Sequence, residues 1–304
     1  MHCRLHLPAA ALALGGALLS NPALAQAPGG NELNGTISVT GVYQFGSDLD
    51  QGGDVGWATV IASGGWSRQV TPQFGVGLTL RYDYEKWRFS NPVAFQGQAP
   101  WDQLNALSLG VSLDYAYAAD LRFGVTPVIE WAYETGASAN NVLNYGAILS
   151  ATKTFSPQLV LGAGVGVFRQ IDETKVFPFL IVRWQIDDHW RLASPFRAGP
   201  AGGAGLELAY TINDSWEIAG GGAYRSYRFR LDDSGLAPGG VGENRFFPLF
   251  LRASRTFGPA TRLDLYAGVS AGGRLSVDSA QGNEVARDDY KTAPALGITL
   301  LHRF

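Results

Sequence analysis

From Phe74 onward the chain repeats a single pattern, an apolar or aromatic residue at every second position over about ten residues, followed by a polar break. In Phe74–Tyr84 the residues Phe74, Val76, Leu78, Leu80, Tyr82 and Tyr84 share one face, and Gly75, Gly77, Thr79, Arg81 and Asp83 share the other. Leu107–Tyr117, Leu121–Tyr133 and Leu263–Ala271 do the same. Period two is the signature of a strand, and this length is what a tilted strand needs to cross a bilayer. The breaks alternate as well. Short turns rich in Pro, Asp and Asn fall at Arg68–Gln73, Ala118–Asp120, Ser156–Gln158, Asp187–His189, Asn213–Ser215 and Gly258–Thr261. Mostly longer segments lie between them: Gly46–Val55, Ser90–Asp102, Thr135–Asn141, Asp172–Lys175, Ser194–Gly203, Asp232–Asn244 and Val277–Asp289. A soluble sandwich would share the alternation but would not sort its short turns to one end. The predicted fold class is all-β, a transmembrane antiparallel up-and-down barrel of about 14 strands with both termini periplasmic. Twelve is the alternative, because the strand at Trp190–Ala193 is weak.

Residues 1–25 read as a signal peptide, with Arg4 ahead of an apolar run from Leu7 to Leu19 and a small-x-small end at Ala23-Leu24-Ala25. Residues 26–32 are then a short periplasmic segment and 33–304 the barrel. The single cysteine, Cys3, and the single methionine, Met1, both fall in the leader, so neither disulfides nor a thiolate metal site is expected in the mature chain. Without the leader, 22 basic residues face 26 acidic ones, a balance of -4 that gives no reason to expect nucleic acid as a partner. Charged residues make up 16% of the chain against about a quarter in a typical soluble domain. After the leader no apolar run is long enough for a membrane-spanning helix, so the spare apolar surface must sit on strands.

The last stretch, Pro294–Phe304, is itself a strand, with Leu296, Ile298, Leu300 and His302 on one face and Gly297, Thr299 and Arg303 on the other. Ending on aromatic Phe304, it resembles the C-terminal signal read by the barrel-assembly machinery of Gram-negative bacteria, with Phe304, His302, Leu300 and Ile298 as the signal residues. His302 stands where a tyrosine or aliphatic residue is more usual. Further back, V-F-P-F-L-I-V-R-W, D-D-H-W-R-L-A-S-P, A-G-L-E-L-A-Y, N-D-S-W-E and A-Y-R-S-Y-R-F-R-L-D-D-S-G fall between Leu161 and Gly235. These stretches resemble a widespread family of uncharacterised Gram-negative outer-membrane barrels, a domain of unknown function. The resemblance implies a fold and a location in the cell outer membrane, with its lipids, lipopolysaccharide and the assembly machinery as partners. It implies no reaction.

The chemistry of the chain points the same way. His189 and His302 are the two mature histidines, and both fall at the predicted periplasmic end, away from the outer rim where a membrane hydrolase would place a proton carrier. The run Leu161–Val167 spaces its glycines too closely for a dinucleotide fingerprint, and no helix pattern follows. No catalytic residue, metal ligand or cofactor is therefore expected. Charge on lipid-facing strand positions would cost about 2 to 4 kcal/mol per Arg or Lys at the midplane, so charged strand residues should point inward. The candidate lumen-lining residues are Arg81, Asp83, Asp114, Arg122, Glu130, Arg183, Glu207, Arg225 and Asp264, with Glu85 and Glu134 beside them. Arg81, Glu130 and Arg225 lie near mid-strand, where a constriction would be narrowest. Some arginines of Tyr224–Arg230 are placed to meet lipopolysaccharide phosphates from outside, on a stretch whose facing the alternation leaves open. The functional expectation is a passive, porin-like channel for small hydrophilic solutes, with a salt-bridged structural barrel as the alternative. An enzyme or a lipophile transporter ranks lower, the transporter because about eight residues ahead of the first strand are too few for an N-terminal plug.

Deleting Phe304 is expected to abolish accumulation of heat-modifiable, membrane-inserted barrel, measured by gel shift of outer-membrane fractions. Wild-type levels after that deletion would refute the role given to the terminal strand.

Overall fold

The computed structural model describes residues 33–138, 142–194 and 205–304; the leader and the segment up to residue 32 lie outside the described residues. Eight strands form the first part: β1 (Asn34–Asp48), β2 (Asp54–Gln69), β3 (Phe74–Ser90), β4 (Gln103–Ala116), β5 (Leu121–Glu134), β6 (Leu143–Ser156), β7 (Leu159–Gln170) and β8 (Glu173–Gln185). The second part holds β9 (Trp190–Ser194), β10 (Gly205–Asn213), β11 (Trp216–Ala223), β12 (Arg225–Arg230), β13 (Val241–Phe257), β14 (Thr261–Asp278), β15 (Glu284–Tyr290) and β16 (Ala293–Arg303). Each strand from β1 to β10 pairs antiparallel with the next; β11 then pairs with β13, β13 with β14, β14 with β16, and β16 with β1. Fourteen strands thus close an antiparallel barrel, and β12 and β15 lie outside this ring. At the seam the register runs from Thr36↔Arg303 to Gln44↔Ala295. It is extended by Gly35 and Phe304 exchanging backbone bonds of 2.8 and 3.0 Å. The Phe304 ring lies where a side chain on Gly35 would be.

Strand alternation sorts the residues as the sequence pattern requires. Leu78, Leu80, Leu180, Leu251, Leu265, Ile298 and Leu300 are exposed, Leu251 to 71% and Leu180 to 69%. An apolar exterior of this kind belongs in lipid, where a sheet has to close on itself to pair its backbone. At the short-turn end Tyr117, Phe155, Trp184, Trp190, Trp216 and Phe257 point outward as an aromatic girdle. Four of those turns share one device. The Asp187 carboxylate accepts from the backbone N–H of His189 and Trp190 (2.8 and 2.7 Å), and Asn213 does so from Ser215 and Trp216 (3.0 Å each). Thr71 and Ser156 repeat it with their hydroxyls. The two N–H groups hold the Asp187 carboxyl below the usual aspartate range.

At the opposite end the strands outrun the sequence expectation. Half of Gly46–Val55 is strand, leaving residues 49–53 as a turn, and Asp172–Lys175 shrinks to a two-residue connection between β7 and β8. Strands of 15, 16 and 17 residues in β1, β2 and β3 exceed the roughly 9 to 11 needed to span, so their outer ends stand clear of the membrane. Alternation continues through the boundary, which is why periodicity alone does not mark where lipid stops.

The outer halves of the last strands do something else. β12 continues the line of β11 after a break at Tyr224 and pairs with the outer half of β13, while β15 pairs with the outer half of β14 and precedes β16. This four-stranded sheet turns inward, so that Arg230 of β12 forms a parallel bridge to Tyr133 of β5 across the barrel. Arg225, Ser226, Arg228 and Phe229 are all buried. The facing of Tyr224–Arg230 was undecided from alternation because both faces of this strand are covered. Arg225 and Arg228 are covered within the inward sheet.

An epitope tag at exposed Gln281, in the β14–β15 turn, should be reached by antibody on intact cells, whereas one at Pro157 should need permeabilised cells. The reverse labelling would invert the barrel.

Candidate functional site: a filled lumen

The interior divides into layers. Nearest the short turns, Arg252 of β13 is 3% exposed and lies 2.7 Å from Glu207, 2.9 Å from Glu217 and 3.6 Å from Asp264. Arg262 joins Asp264 (2.6 Å) and Glu217 (3.1 Å), and Arg191 joins Glu217 (3.0 Å). Three arginines and three carboxylates on β9, β10, β11, β13 and β14 thereby balance within one mesh. Sequence reasoning found Glu207 and Asp264 but missed Arg252, Arg262, Arg191 and Glu217. Arg252 sits two positions from buried Phe250 and next to exposed Leu251, and following that alternation from Phe257 backwards would have placed it inward. On the far wall Asp114 of β4 stands within electrostatic reach of Arg122 on β5 and Arg183 on β8.

The middle layer brings together the three residues expected at a constriction. Arg81, Asp83, Glu85, Glu130, Arg225 and Tyr227 line one cavity of about 50 Å³, closed on the apolar side by Leu104, Ala132 and Phe229. Arg81 is held by Asp83 through two bonds of 2.6 and 2.5 Å, Glu130 accepts from Asn144 (3.1 Å), and Glu85 accepts from Tyr227 (2.7 Å) and Trp87 (3.0 Å). The Arg225 guanidinium lies over the rings of Tyr227 and Phe246 at 5.5 and 5.8 Å. Such a cavity holds a few waters and no larger solute.

The interior also holds apolar layers beside the charged residues that the sequence places there. Beneath the inward sheet, Trp57, Trp87, Trp101 and Phe95 from β2, β3 and the β3–β4 loop pack with Phe229, Phe246, Leu275 and Val277 from the sheet. Phe229 meets Trp101 edge-on at 5.1 Å. On β5–β8, Phe168 and Phe177 stack at 5.7 Å and pack with Val128, Ile148 and Phe179. The glycines of Leu161–Val167 explain this second cluster. The Phe179 and Phe177 rings occupy the places where side chains on Gly164 and Gly166 would stand. The smooth glycine face is thus a bed for aromatic rings. At the rim, Glu134 accepts from the backbone N–H of Asp102 (2.9 Å) and Asp232 (3.0 Å), fastening a loop and the sheet to the wall.

Both histidines lie at the short-turn end. His189 bonds the Thr211 carbonyl (2.8 Å) and stacks on Tyr210, and His302 bonds the Thr261 hydroxyl (2.9 Å) and faces outward. Neither stands beside a carboxylate and a nucleophile.

No known family model matches the chain, and no curated protein does. Among solved structures it is similar to an outer membrane channel from Pseudomonas putida, at 12% identity and a TM-score of 0.50, covering 92% of this chain and 100% of that one. The fold is that of a Gram-negative outer-membrane barrel. A lower likeness, with a TM-score of 0.46 and 14% identity over 94% of this chain and 92% of that one, links it to the toluene transporter TodX of Pseudomonas putida.

Replacing Arg252 with Leu would strip the buried Glu207 of its arginine and leave Glu217 and Asp264 to Arg191 and Arg262. Removing one partner of a buried pair costs about 3 to 5 kcal/mol, so the Arg252→Leu barrel should lose its heat-modified gel shift at a clearly lower temperature. An unchanged shift would mean the mesh contributes no stability.

Proposed function

We propose that the protein is an outer-membrane channel that is closed at rest and passes small molecules with apolar surface, in place of an open pore for hydrophilic solutes. The observation that carries this reading is the filled mouth: Trp57, Trp87, Trp101, Phe229 and Phe246 occupy the space an aqueous pore would need. Aromatic rings continue down the lumen on β8 at Phe177 and Phe179. A water-filled path is not what such surfaces favour, while a solute that itself sheds water loses little by moving along them. Similarity in fold to a protein described as an outer membrane channel supports the same reading. The objection to a lipophile transporter, that too few residues precede the first strand to plug the barrel, falls away because the plug here comes from the outer halves of β12–β15.

The alternative, a structural barrel without transport, is favoured by one feature, the ion-pair mesh around Arg252 that ties five strands together. Two measurements on the same preparation separate these readings. Cells with intact lipopolysaccharide that express the chain should admit a small uncharged aromatic dye faster than cells that do not, while proteoliposomes should show no sugar-driven swelling. Swelling without dye entry would reinstate the porin-like reading. Neither response from a correctly folded barrel would leave the structural one.

A further inference from the structure

Four adjacent strands break at one level. β11 passes to β12 through Tyr224, β13 bulges between Arg245 and Phe247, β14 shifts register across Gly272 at φ +60°, and β15 passes to β16 through Lys291 and Thr292. A bulge or a left-handed glycine bends a strand locally, and four in a row draw a hinge line across the sheet. The two sides of the inward sheet are fastened differently. The β15 side is tied to the β1–β2 turn by several bonds, among them Asp50 N–H to the Asp289 carbonyl (2.9 Å) and Lys291 N–H to the Asp48 carbonyl (3.0 Å). Leu49 and Tyr290 add a bridge there. On the β12 side, among the described residues, Arg230↔Tyr133 is the only paired backbone register with the wall.

Side chains do the rest of the fastening on that free edge. Arg228 of β12, 7% exposed, lies 3.1 Å from Asp172 and 3.5 Å from Glu173, both at the β7–β8 end of the wall. Within the sheet it lies 3.1 Å from Glu243 and 3.0 Å from Asp278. Lys175 of β8 reaches back to Glu243 at 3.0 Å, and Arg245 stands 3.3 Å from the same carboxylate. Asp172 and Glu173 are 37% and 50% exposed, so the clasp is buried on the sheet side and open to outside solvent on the wall side. Further along, Ser138 donates to Asp233 at the sheet's tip.

We propose that β12–β15 form a hinged flap, anchored along β15 and clasped at its β12 edge by Arg228 and Lys175, whose release uncovers the lumen from the extracellular side. This rests on the channel reading, because the two cavities that border the closed sheet among the described residues, about 50 and 40 Å³, admit only a few waters. The test separates the two. Residues 4–304 contain no cysteine, so an introduced thiol is unique in the mature chain. Ala132 on β5 is 5% exposed and packs in the cluster that the sheet covers, so in Ala132→Cys its reaction with a membrane-impermeant thiol reagent reports uncovering of the wall. Adding Arg228→Gln, or the milder Lys175→Gln if the first impairs assembly, should raise the labelling rate of heat-modifiable barrel about tenfold or more, as loss of one partner of a buried pair requires. In a separate protein, Ser138→Cys with Asp233→Cys should form a disulfide that stops entry of the aromatic dye until reductant is added. Unchanged labelling in both clasp variants would overturn the flap, as would dye entry indifferent to the disulfide. Accelerated labelling with no dye entry in any form would keep the moving flap and overturn the channel reading.

Discussion

Within a hydrocarbon layer no water is present to satisfy backbone N–H and C=O groups, so a sheet there must close on itself. The pairing of β1 with β16 meets that demand, and the rest follows from it. Closure at this strand number fixes a wide interior, the alternation sends every second side chain into it, and the chain must then decide what fills the space. Small residues on the inward face of β7 and β11 make room, and large or charged ones on the facing strands take it.

Filling by side chains alone serves the half nearest the short turns, where arginines and carboxylates bridge the lumen. The outer half is taller, because several strands run past the membrane, and there the barrel borrows its own wall. Strands that could have continued outward bend in at Tyr224 and Gly272 and carry a second hydrophobic core with them. Burying such a core within a membrane barrel draws on the same water exclusion that stabilises soluble domains, since this end of the lumen would otherwise be wet. Trp57, Trp87 and Trp101 therefore do at the mouth what core tryptophans do in a soluble protein.

Much of the wall was legible in the sequence. Phe74–Tyr84 and Leu107–Tyr117 declare their faces because one side meets lipid and the other does not, and the Asp187 and Asn213 turns declare themselves by their side-chain caps. The inward placement of Arg81, Glu130 and Arg225 could be anticipated from the cost of charge in lipid, but their gathering around one cavity depends on β12 crossing the lumen, and nothing local in Tyr224–Arg230 reports a contact with Glu85, which lies 142 positions away from Tyr227. Val277–Asp289 was read as a long connection for a similar reason. Its residues Glu284–Asp289 are charged at four of six positions, and they form a strand only because the outer half of β14 offers them an edge. The Arg252 mesh was hidden by the stretch Arg245–Arg255, where the bulge shifts the alternation by one residue and blurs its parity.

The seam has a temporal side. Thr40 and Thr299 share a buried hydroxyl bond at 2.8 Å across a separation of 259 residues, and the two strands that carry them have no other partner for those edges. A contact of such high sequence separation is slow to find, because chain entropy must be surrendered along the whole intervening length before the pairing returns anything. Throughout that search β1 and β16 each present a ready template for foreign strands. The interval between arrival of the unfolded chain and docking of its two ends is therefore when aggregation competes hardest with folding.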